Sequence, residues 1–332
     1  MGLRVRADDD RLSWMGAVSL EVGDGWVQPW RIPHEERALY PPDALRERAA
    51  MAAGVRLAFR TTSASITGRL AIPGDASAVD IAVDGELRGS APLPGAPSFT
   101  FDGLPPEDKL VELWLPQSGR VRLSALELDG DATLTASAVA RPRWTTYGSS
   151  ISQCGAAESP AYTWPAIVAR ERELDLTCLG FGGQCHLDPM IARLIRDLPA
   201  DVITICAGIN IQGGSSLNPR SFGPALIGTV RTIREKHPTI PIGLISPIFS
   251  PPRETTPNAV GFSLQGMREE VEAAVEALRS CGDSNVHYFS GLDVFGPDLA
   301  HLLPDDLHPD ADGYKALGRN FADVVMRRLF PA

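Results

Sequence analysis

The sequence predicts an α/β protein in two parts, an antiparallel β-sandwich followed by a layered domain built on a parallel sheet. Three observations support this prediction. The chain has 332 residues, about twice the length of a typical domain. Before residue 140, short runs alternate apolar and polar side chains. After Arg143, apolar strand-like runs alternate with helix-like stretches. We therefore predict domains over residues 1–140 and 141–332, joined within the segment 136–142.

The first part has the pattern of half-buried antiparallel strands. Side chains alternate with period 2, and Asp-Gly pairs that favour tight turns follow the strands. The clearest runs are residues 79–83, 98–101 and 121–125, and the turn pairs are Asp84-Gly85, Asp102-Gly103 and Asp129-Gly130. Short strands at this spacing indicate a sandwich or jelly roll. One helix is predicted over residues 42–53.

The second part alternates continuous apolar runs with amphipathic stretches. This pattern is typical of parallel strands buried on both faces by helices. The predicted strands are residues 144–147, 174–179, 202–207, 240–245 and 286–289. The predicted helices are residues 160–172, 189–197, 222–237, 264–279 and 311–329. The order strand, helix, strand predicts a parallel sheet covered on both sides.

Composition excludes several classes of partner. A formal charge of −10 disfavours binding to nucleic acid, and no apolar run reaches the ~18 residues that a membrane span needs. The run Asp8–Asp10 directly after Arg4 and Arg6 does not fit a secretory signal, so we expect a cytoplasmic protein. The five cysteines form no C-x-x-C pair and are predicted to be free thiols. No metal motif is found, and we expect neither a metal nor an organic cofactor.

Candidate catalytic residues follow the predicted strands, where ligands bind in open parallel sheets. Ser150, at the start of a helix, is interpreted as a nucleophile. His308 has the chemistry of its base, and Asp305 is placed to orient the imidazole. The backbone N–H groups of Ser150 and Gly183 and the side-chain amide of Asn210 are the candidate oxyanion hole. Together these groups provide what acyl transfer through a serine requires.

The blocks that carry these residues, in this order, resemble those of the SGNH or GDSL hydrolase family. They are Gly148-Ser149-Ser150-Ile151, Gly183, Gly208-Ile209-Asn210 and Asp305-Asp306-Leu307-His308. The resemblance covers about 190 residues from Trp144 and implies a three-layer α/β/α domain with a flavodoxin-like sheet. Ser149 stands where the family usually has aspartate. A β-sandwich joined to such a domain is similar to bacterial sugar-deacetylating esterases and to acyltransferases of natural-product pathways.

The main hypothesis is a carboxyl-ester hydrolase that acts through an acyl-Ser150 intermediate on a small-molecule or acylated-sugar ester. The first alternative is an acyltransferase that uses the same acyl-enzyme, with a thioester among the candidate donors. The second is a carbohydrate-binding protein with an inert SGNH domain. The oligomeric state is not predicted. The long connection 246–261 is expected to overhang the site. His186 is expected at a solvated helix start, with a place in the pocket lining as the alternative. Cys154 and Cys185 are expected to be buried rather than reactive.

Overall fold

The chain is described from a computed structural model, which covers residues 2–71 and 76–331. It divides into two compact units. Unit one holds the residues up to Arg141, together with Glu158–Thr163 and Asp175–Thr177. Unit two holds Pro142–Ala157, Trp164–Leu174 and the chain from Cys178 onward. The domain boundary at residue 140 stays a prediction, which limited proteolysis would test.

Unit one contains two antiparallel sheets, as the period-2 pattern predicts. In the first, the order is β3-β4-β11-β6-β9, with β1 paired to β11. In the second, the order is β12-β5-β10-β7-β8, with β2 paired to β5. The strands are β1 (Leu3–Arg6), β2 (Ser13–Met15), β3 (Ser19–Gly23), β4 (Trp26–Trp30), β5 (Arg56–Thr61), β6 (Ile66–Leu70), β7 (Ala78–Val83), β8 (Glu86–Pro92), β9 (Ser98–Phe101), β10 (Lys109–Trp114), β11 (Leu123–Leu128) and β12 (Leu134–Ala136).

Apolar side chains from both sheets meet in one core. Phe59 and Val111 come from the second sheet and Leu126 from the first, and all three are fully buried. The pair Asp84-Gly85 joins β7 to β8 with positive φ angles of 50° and 86°, which a tight type I′ hairpin turn requires. The helix predicted over residues 42–53 is shorter in the structure, where α1 spans Asp43–Ala49. The β-sandwich prediction is confirmed.

Unit two is built on a five-stranded sheet of order β14-β13-β15-β16-β17. The strands are β13 (Arg143–Gly148), β14 (Asp175–Gly180), β15 (Val202–Cys206), β16 (Ile242–Ile245) and β17 (Val286–Phe289). The pairs β13–β15, β15–β16 and β16–β17 are parallel. In chain order the strands are arranged 2-1-3-4-5, the flavodoxin-like arrangement. The predicted parallel α/β domain is confirmed.

Helices separate the strands along the chain and pack in two groups. In one group α3 packs against α9, and in the other α4 and α7 both pack against α6. Consecutive residues of β15 and β16 are buried, as expected for strands covered on both faces. The helices are α2 (Ser150–Gln153), α3 (Trp164–Glu171), α4 (Pro189–Asp197), α5 (Ile209–Gly214), α6 (Pro219–Arg234), α7 (Leu264–Ser280), α8 (Gly291–Val294), α9 (Ala311–Phe321) and α10 (Arg327–Leu329). Short 3-10 helices lie at His34–Leu39, Pro160–Tyr162, Pro251–Arg253 and Pro297–Leu302, and a π-helical stretch, Ala322–Met326, joins α9 to α10.

Two helix boundaries differ from the prediction for local reasons. The helix predicted over 160–172 is interrupted at Thr163, which is extended and donates its hydroxyl to the Pro160 carbonyl at 3.0 Å. The helix predicted from residue 222 begins earlier, at Pro219. There, Asn218 and Ser221 satisfy each other's backbone N–H groups in a capping box.

The strand order determines where a ligand site is expected in unit two. β13 and β15 lie side by side, but the chain continues from β13 to β14 on one side and from β15 to β16 on the other. Such a switch point opens a crevice at the carboxyl ends of the two strands. The candidate blocks after β13, β14 and β15 all belong to this edge. In the parts of the chain that the structure describes, every helix is too short or too polar to cross a membrane.

Candidate functional site

Ser150 lies at a tight junction between strand and helix. β13 ends at Gly148, Ser149 caps α2, and Ser150 is the first residue of that helix. A Cβ atom on Gly148 would lie 2.2 Å from the Ser152 hydroxyl, so the junction requires glycine. As a first helical residue, Ser150 has a backbone N–H without a partner inside the helix. The junction therefore presents both the hydroxyl and the N–H of Ser150 at the sheet edge.

Ser149 has a local structural role in this junction. Its side chain is buried, and its hydroxyl accepts a hydrogen bond from the Ile151 N–H at 3.2 Å. This is the helix-capping bond that an aspartate also makes. Behind α2 lies an apolar cavity of about 40 Å³, and Ser149 and Ile151 contribute to its lining. The replacement of aspartate by serine thus leaves the cap of the helix intact.

Ser150, His308 and Asp305 form a continuous chain of hydrogen bonds. Ser150 Oγ lies 2.8 Å from Nε2 of His308, although 158 positions separate the two residues. Nδ1 of His308 lies 2.7 Å from Oδ2 of Asp305. Because the carboxylate accepts from Nδ1–H, the neutral ring has a lone pair at Nε2 that faces the serine hydroxyl. In this geometry the imidazole is placed to take a proton from Ser150.

Asp305 holds both the ring and the backbone of its loop. Its second oxygen, Oδ1, accepts hydrogen bonds from the backbone N–H groups of Leu307 at 3.0 Å and His308 at 2.6 Å. Burial raises the pKa of the Asp305 carboxyl, but the hydrogen bonds from the His308 ring and from the backbone outweigh this effect and lower the pKa to about 2. The side chain is 54% exposed, so solvent screens this charge considerably.

The connection after β16 supports the loop of Asp305 and His308. Ser250 is buried and donates its hydroxyl to the Asp306 carbonyl at 2.6 Å. Arg253 Nη1 donates to the Ser250 hydroxyl at 2.9 Å, and Glu254 accepts from the Ser250 N–H at 3.0 Å. Asp306 itself has a positive φ of 59°, a conformation that non-glycine residues seldom adopt. The sequence offered no signal for this support, because the segment showed only its length and its prolines.

The turn that contains Gly183 is connected to Asn210 by a hydrogen bond across the sheet edge. The N–H of Cys185 donates to Oδ1 of Asn210 at 3.0 Å, which leaves the Nδ2 hydrogens as the donor side of that amide. Asn210 follows Gly208, which has a φ of +133° and whose Cβ would lie 2.5 Å from Pro247. Glycine at 208 thus lets the connection after β16 pack directly against the start of α5.

The turn that contains Gly183 is also connected to the segment that carries Ser150. The Phe181 N–H donates to the Gly148 carbonyl at 2.9 Å, and the Gly182 N–H donates to Oε1 of Gln153 at 2.8 Å. Hydrogen bonds therefore connect the blocks after β13, β14 and β15. Sequence reasoning did not identify Gln153 as a contributor.

The cysteines near these blocks are poor candidates for reactive groups. Cys154 and Cys185 are buried, as expected. Burial raises the pKa of Cys154 well above its usual range and that of Cys185 to about 12, so both stay protonated near neutral pH. Within residues 2–71 and 76–331, no cluster of three or more His, Cys, Asp or Glu side chains is arranged to hold a metal ion.

Comparison with known proteins gives matches to both parts of the chain. The family model "SsfX3, N-terminal domain" matches residues 12–123, and the "GDSL-like Lipase/Acylhydrolase family" model matches residues 143–329. The chain is similar to the structure of a salicylyl-acyltransferase, SsfX3, from a tetracycline biosynthetic pathway. The identity is 38%, the match covers 99% of this chain and 98% of that one, and the TM-score is 0.92.

Two more distant structures share the fold over the whole chain. One is a Bacteroides ovatus protein described as a GDSL-like lipase, with 21% identity and a TM-score of 0.81. The other is a family two carbohydrate esterase from Cellvibrio japonicus, with 15% identity and a TM-score of 0.69. Each match covers 99% of this chain and 98% of the other. None of the curated proteins compared with the chain matches it. The chain belongs to the GDSL-like lipase and acylhydrolase family.

Proposed function

We propose that this protein transfers an acyl group through a covalent acyl-Ser150 intermediate. The observation that carries the proposal is the chain of hydrogen bonds from Ser150 Oγ through His308 to Asp305. A serine hydroxyl is a weak nucleophile unless an adjacent base removes its proton, and an oriented imidazole is such a base. The same hydrogen bonds argue against an inert domain that only binds carbohydrate.

The first half-reaction forms the acyl-enzyme. His308 Nε2 takes the hydroxyl proton while Ser150 Oγ attacks the acyl carbon of an ester or thioester. The oxyanion receives hydrogen bonds from the backbone N–H groups of Ser150 and Gly183 and from Nδ2 of Asn210. The tetrahedral intermediate then collapses, and the imidazolium gives its proton to the departing alcohol or thiol. Asp305 stays ionised throughout and stabilises the imidazolium.

The second half-reaction decides between transfer and hydrolysis. An incoming hydroxyl gives its proton to His308 Nε2 and attacks the acyl carbon. The imidazolium then returns that proton to Ser150 Oγ as the bond from the acyl carbon to Ser150 breaks, which frees the serine and forms a new ester. Water in the same position releases the free acid instead. Because a relative at 38% identity over nearly the whole chain is described as an acyltransferase, we favour a small-molecule hydroxyl as the acceptor. Hydrolysis is the second candidate, since His308 and Asp305 are 34% and 54% exposed and water reaches them.

A partition experiment distinguishes these two outcomes. The enzyme is mixed with a p-nitrophenyl ester and increasing concentrations of an alcohol such as glycerol, and acid and new ester are quantified by mass spectrometry. Transfer predicts that ester replaces acid as the alcohol increases. It also predicts the same product ratio for different leaving groups, because all of them pass through one acyl-enzyme. Free acid as the sole product at every concentration, with a panel of acceptors, would contradict acyl transfer and leave hydrolysis as the activity.

Replacing Asn210 by alanine is expected to lower kcat by roughly 10²- to 10³-fold. The variant loses one donor to the oxyanion, which is formed mainly in the transition state, so KM should change little. Steady-state kinetics with a p-nitrophenyl ester check this prediction. Asn285→Ala is the matched control, because Asn285 also donates its amide to a backbone carbonyl, that of Thr239, but does so before the amino ends of β16 and β17. A loss confined to KM would show that Asn210 binds substrate rather than the oxyanion.

The Asp305 carboxyl should remain ionised over the whole pH range of an activity assay, because its pKa is lowered to about 2. As the pH falls from about 4 to 2, this charge and the stabilisation that depends on it are lost. We therefore expect Asp305→Asn to lower kcat/KM by roughly 10²- to 10⁴-fold at every pH from 5 to 9. The measurement is a pH profile of both forms. An inflection near pH 4 to 5 that disappears in Asp305→Asn would contradict this assignment.

A further inference from the structure

Gly183 presents a backbone N–H whose direction is not fixed by side-chain packing. The residue is exposed, has a φ of +72°, and a Cβ atom built on it would meet nothing within 4 Å. The peptide group that carries this N–H joins Gly182 to Gly183, and two glycines in succession give the backbone wide conformational freedom. A donor that stabilises an oxyanion must already point at the oxyanion before the reaction. Because side-chain packing does not set the direction of the Gly183 N–H, hydrogen bonds of the neighbouring peptide groups have to set it.

The peptide group on each side of the Gly183 N–H is held in place. On the amino-terminal side, the Gly182 N–H donates to Gln153 at 2.8 Å. On the carboxyl-terminal side, the Gln184 N–H donates to the Phe181 carbonyl at 2.9 Å. The carbonyl of that same peptide, the Gly183 carbonyl, lies 3.1 Å from Nε2 of His186. His186 therefore adds a second hydrogen bond to the peptide group that follows Gly183.

The hydrogen-bond partners of His186 determine its tautomer. A carbonyl oxygen can only accept, so Nε2 carries the proton, and in a neutral ring Nδ1 is then the acceptor. Ser216 Oγ lies 2.7 Å from Nδ1 and is the donor to it. Ser216 comes two residues after Gly214, the last residue of α5, which carries Asn210, and its N–H donates to the Ile211 carbonyl of that helix at 3.3 Å. The imidazole thus connects the turn of Gly183 to the helix of Asn210.

We propose that His186, held by Ser216, is a positioning residue that aims the Gly183 N–H at the oxyanion. This inference rests on the proposed function, since it needs an oxyanion on an acyl group bound to Ser150. In the described structure the hydrogen bonds of His186 go to Ser216 and to the Gly183 carbonyl, so it acts through the Gly183 peptide. As expected, it lies near a helix start, three residues before Pro189 of α4, and its two hydrogen bonds also connect it to Gly183 and Ser216.

The test compares His186→Ala, His186→Gln and Ser216→Ala in the full chain, with active sites counted by fluorophosphonate titration. Two quantities are measured, kcat and KM for a p-nitrophenyl ester and the inhibition constant of a trifluoromethyl ketone. This ketone forms a tetrahedral adduct with a serine and places an oxyanion among the donors. His237→Ala is the matched control, because His237 also bonds a backbone carbonyl, that of Leu198 at 2.9 Å, just before the amino end of β15.

We expect His186→Ala to lower kcat per active site by roughly 10- to 100-fold, less than the loss of a donor itself. KM should stay within about 3-fold, and the inhibition constant of the ketone should rise in proportion to the fall in kcat/KM. His186→Gln should recover most of the activity, since its amide can donate to the Gly183 carbonyl. Ser216→Ala should cost roughly 3- to 10-fold, and His237→Ala should change neither quantity.

Three results would overturn the inference. They are a His186→Ala enzyme with unchanged kcat per active site, a fall in kcat without a weaker ketone, and a His186→Gln enzyme no better than the alanine variant. If His186→Ala does not fold, the glutamine and Ser216 variants decide the question by the same two measurements. If fluorophosphonate does not label Ser150 in the unaltered protein, the proposed function fails. If Ser150 is labelled and these variants behave like the unaltered protein, this inference alone fails.

Discussion

Replacing Ser150 by alanine is expected to lower kcat for an activated acyl ester by roughly 10⁴- to 10⁶-fold. The variant retains the candidate oxyanion donors but has no atom that can form the acyl-enzyme. Ser150 is partly exposed at the start of a four-residue helix, so the loss of its hydroxyl should leave folding intact. The measurement is the rate of p-nitrophenol release, with circular dichroism and thermal unfolding to verify the fold.

A control for this variant is Ser280→Ala. Ser280 is exposed at the end of α7 and donates to the Ala277 carbonyl of its own helix. We expect activity within about 2-fold of the unaltered protein, as is usual for surface substitutions. A Ser150→Ala protein that is folded and retains more than about 1% of the activity would show that another group attacks the acyl carbon.

Replacing His308 by alanine is expected to lower kcat about as much as Ser150→Ala does, by roughly 10⁴- to 10⁶-fold. Without the imidazole, no group within hydrogen-bonding distance takes the Ser150 proton, because the only side-chain bond of that hydroxyl in the described structure is to Nε2. Since the two residues act as one unit, the double variant should be no slower than either single variant. The measurement is a double-mutant cycle in kcat.

The matched control for this cycle is His301→Ala. His301 is exposed on the neighbouring 3-10 helix, and within the described residues its hydrogen bond goes to a local carbonyl, that of Asp298 at 3.0 Å. It should retain nearly full activity. If the losses of Ser150→Ala and His308→Ala multiply in the double variant, the two side chains act independently and the proposed proton transfer between them is wrong.

The fold was predictable because its strands carry clear periodic patterns. The predicted strands at 144–147 and 286–289 lie within or match β13 and β17. Residues 144–147 are all buried, and β17 is buried at its two apolar ends, Val286 and Phe289. Helix ends were less predictable, because single side chains decide them. The interruption at Thr163 depends on one hydroxyl, and the early start of α6 depends on the exchange of bonds between Asn218 and Ser221.

The candidate site was predictable only as far as chemistry and order could indicate it. Ser150, His308 and Asp305 carry the right groups, and the structure brings them within hydrogen-bonding distance, while their roles stay predictions. Supporting residues could not be predicted in this way. The bond from Ser250 to the Asp306 carbonyl joins positions 56 apart, and no pattern in the sequence marks a backbone carbonyl as an acceptor.

The most direct test of acyl-Ser150 chemistry is covalent labelling by a fluorophosphonate, located by digestion and mass spectrometry. The probe's phosphorus is attacked by an activated serine and retained, so it reports the nucleophile without requiring knowledge of the natural substrate. The structure predicts one adduct per chain, on Ser150, with loss of ester turnover in step with labelling and greatly slowed labelling in His308→Ala. An adduct on a different residue that abolishes turnover, or full labelling of Ser150 with turnover unchanged, would contradict it.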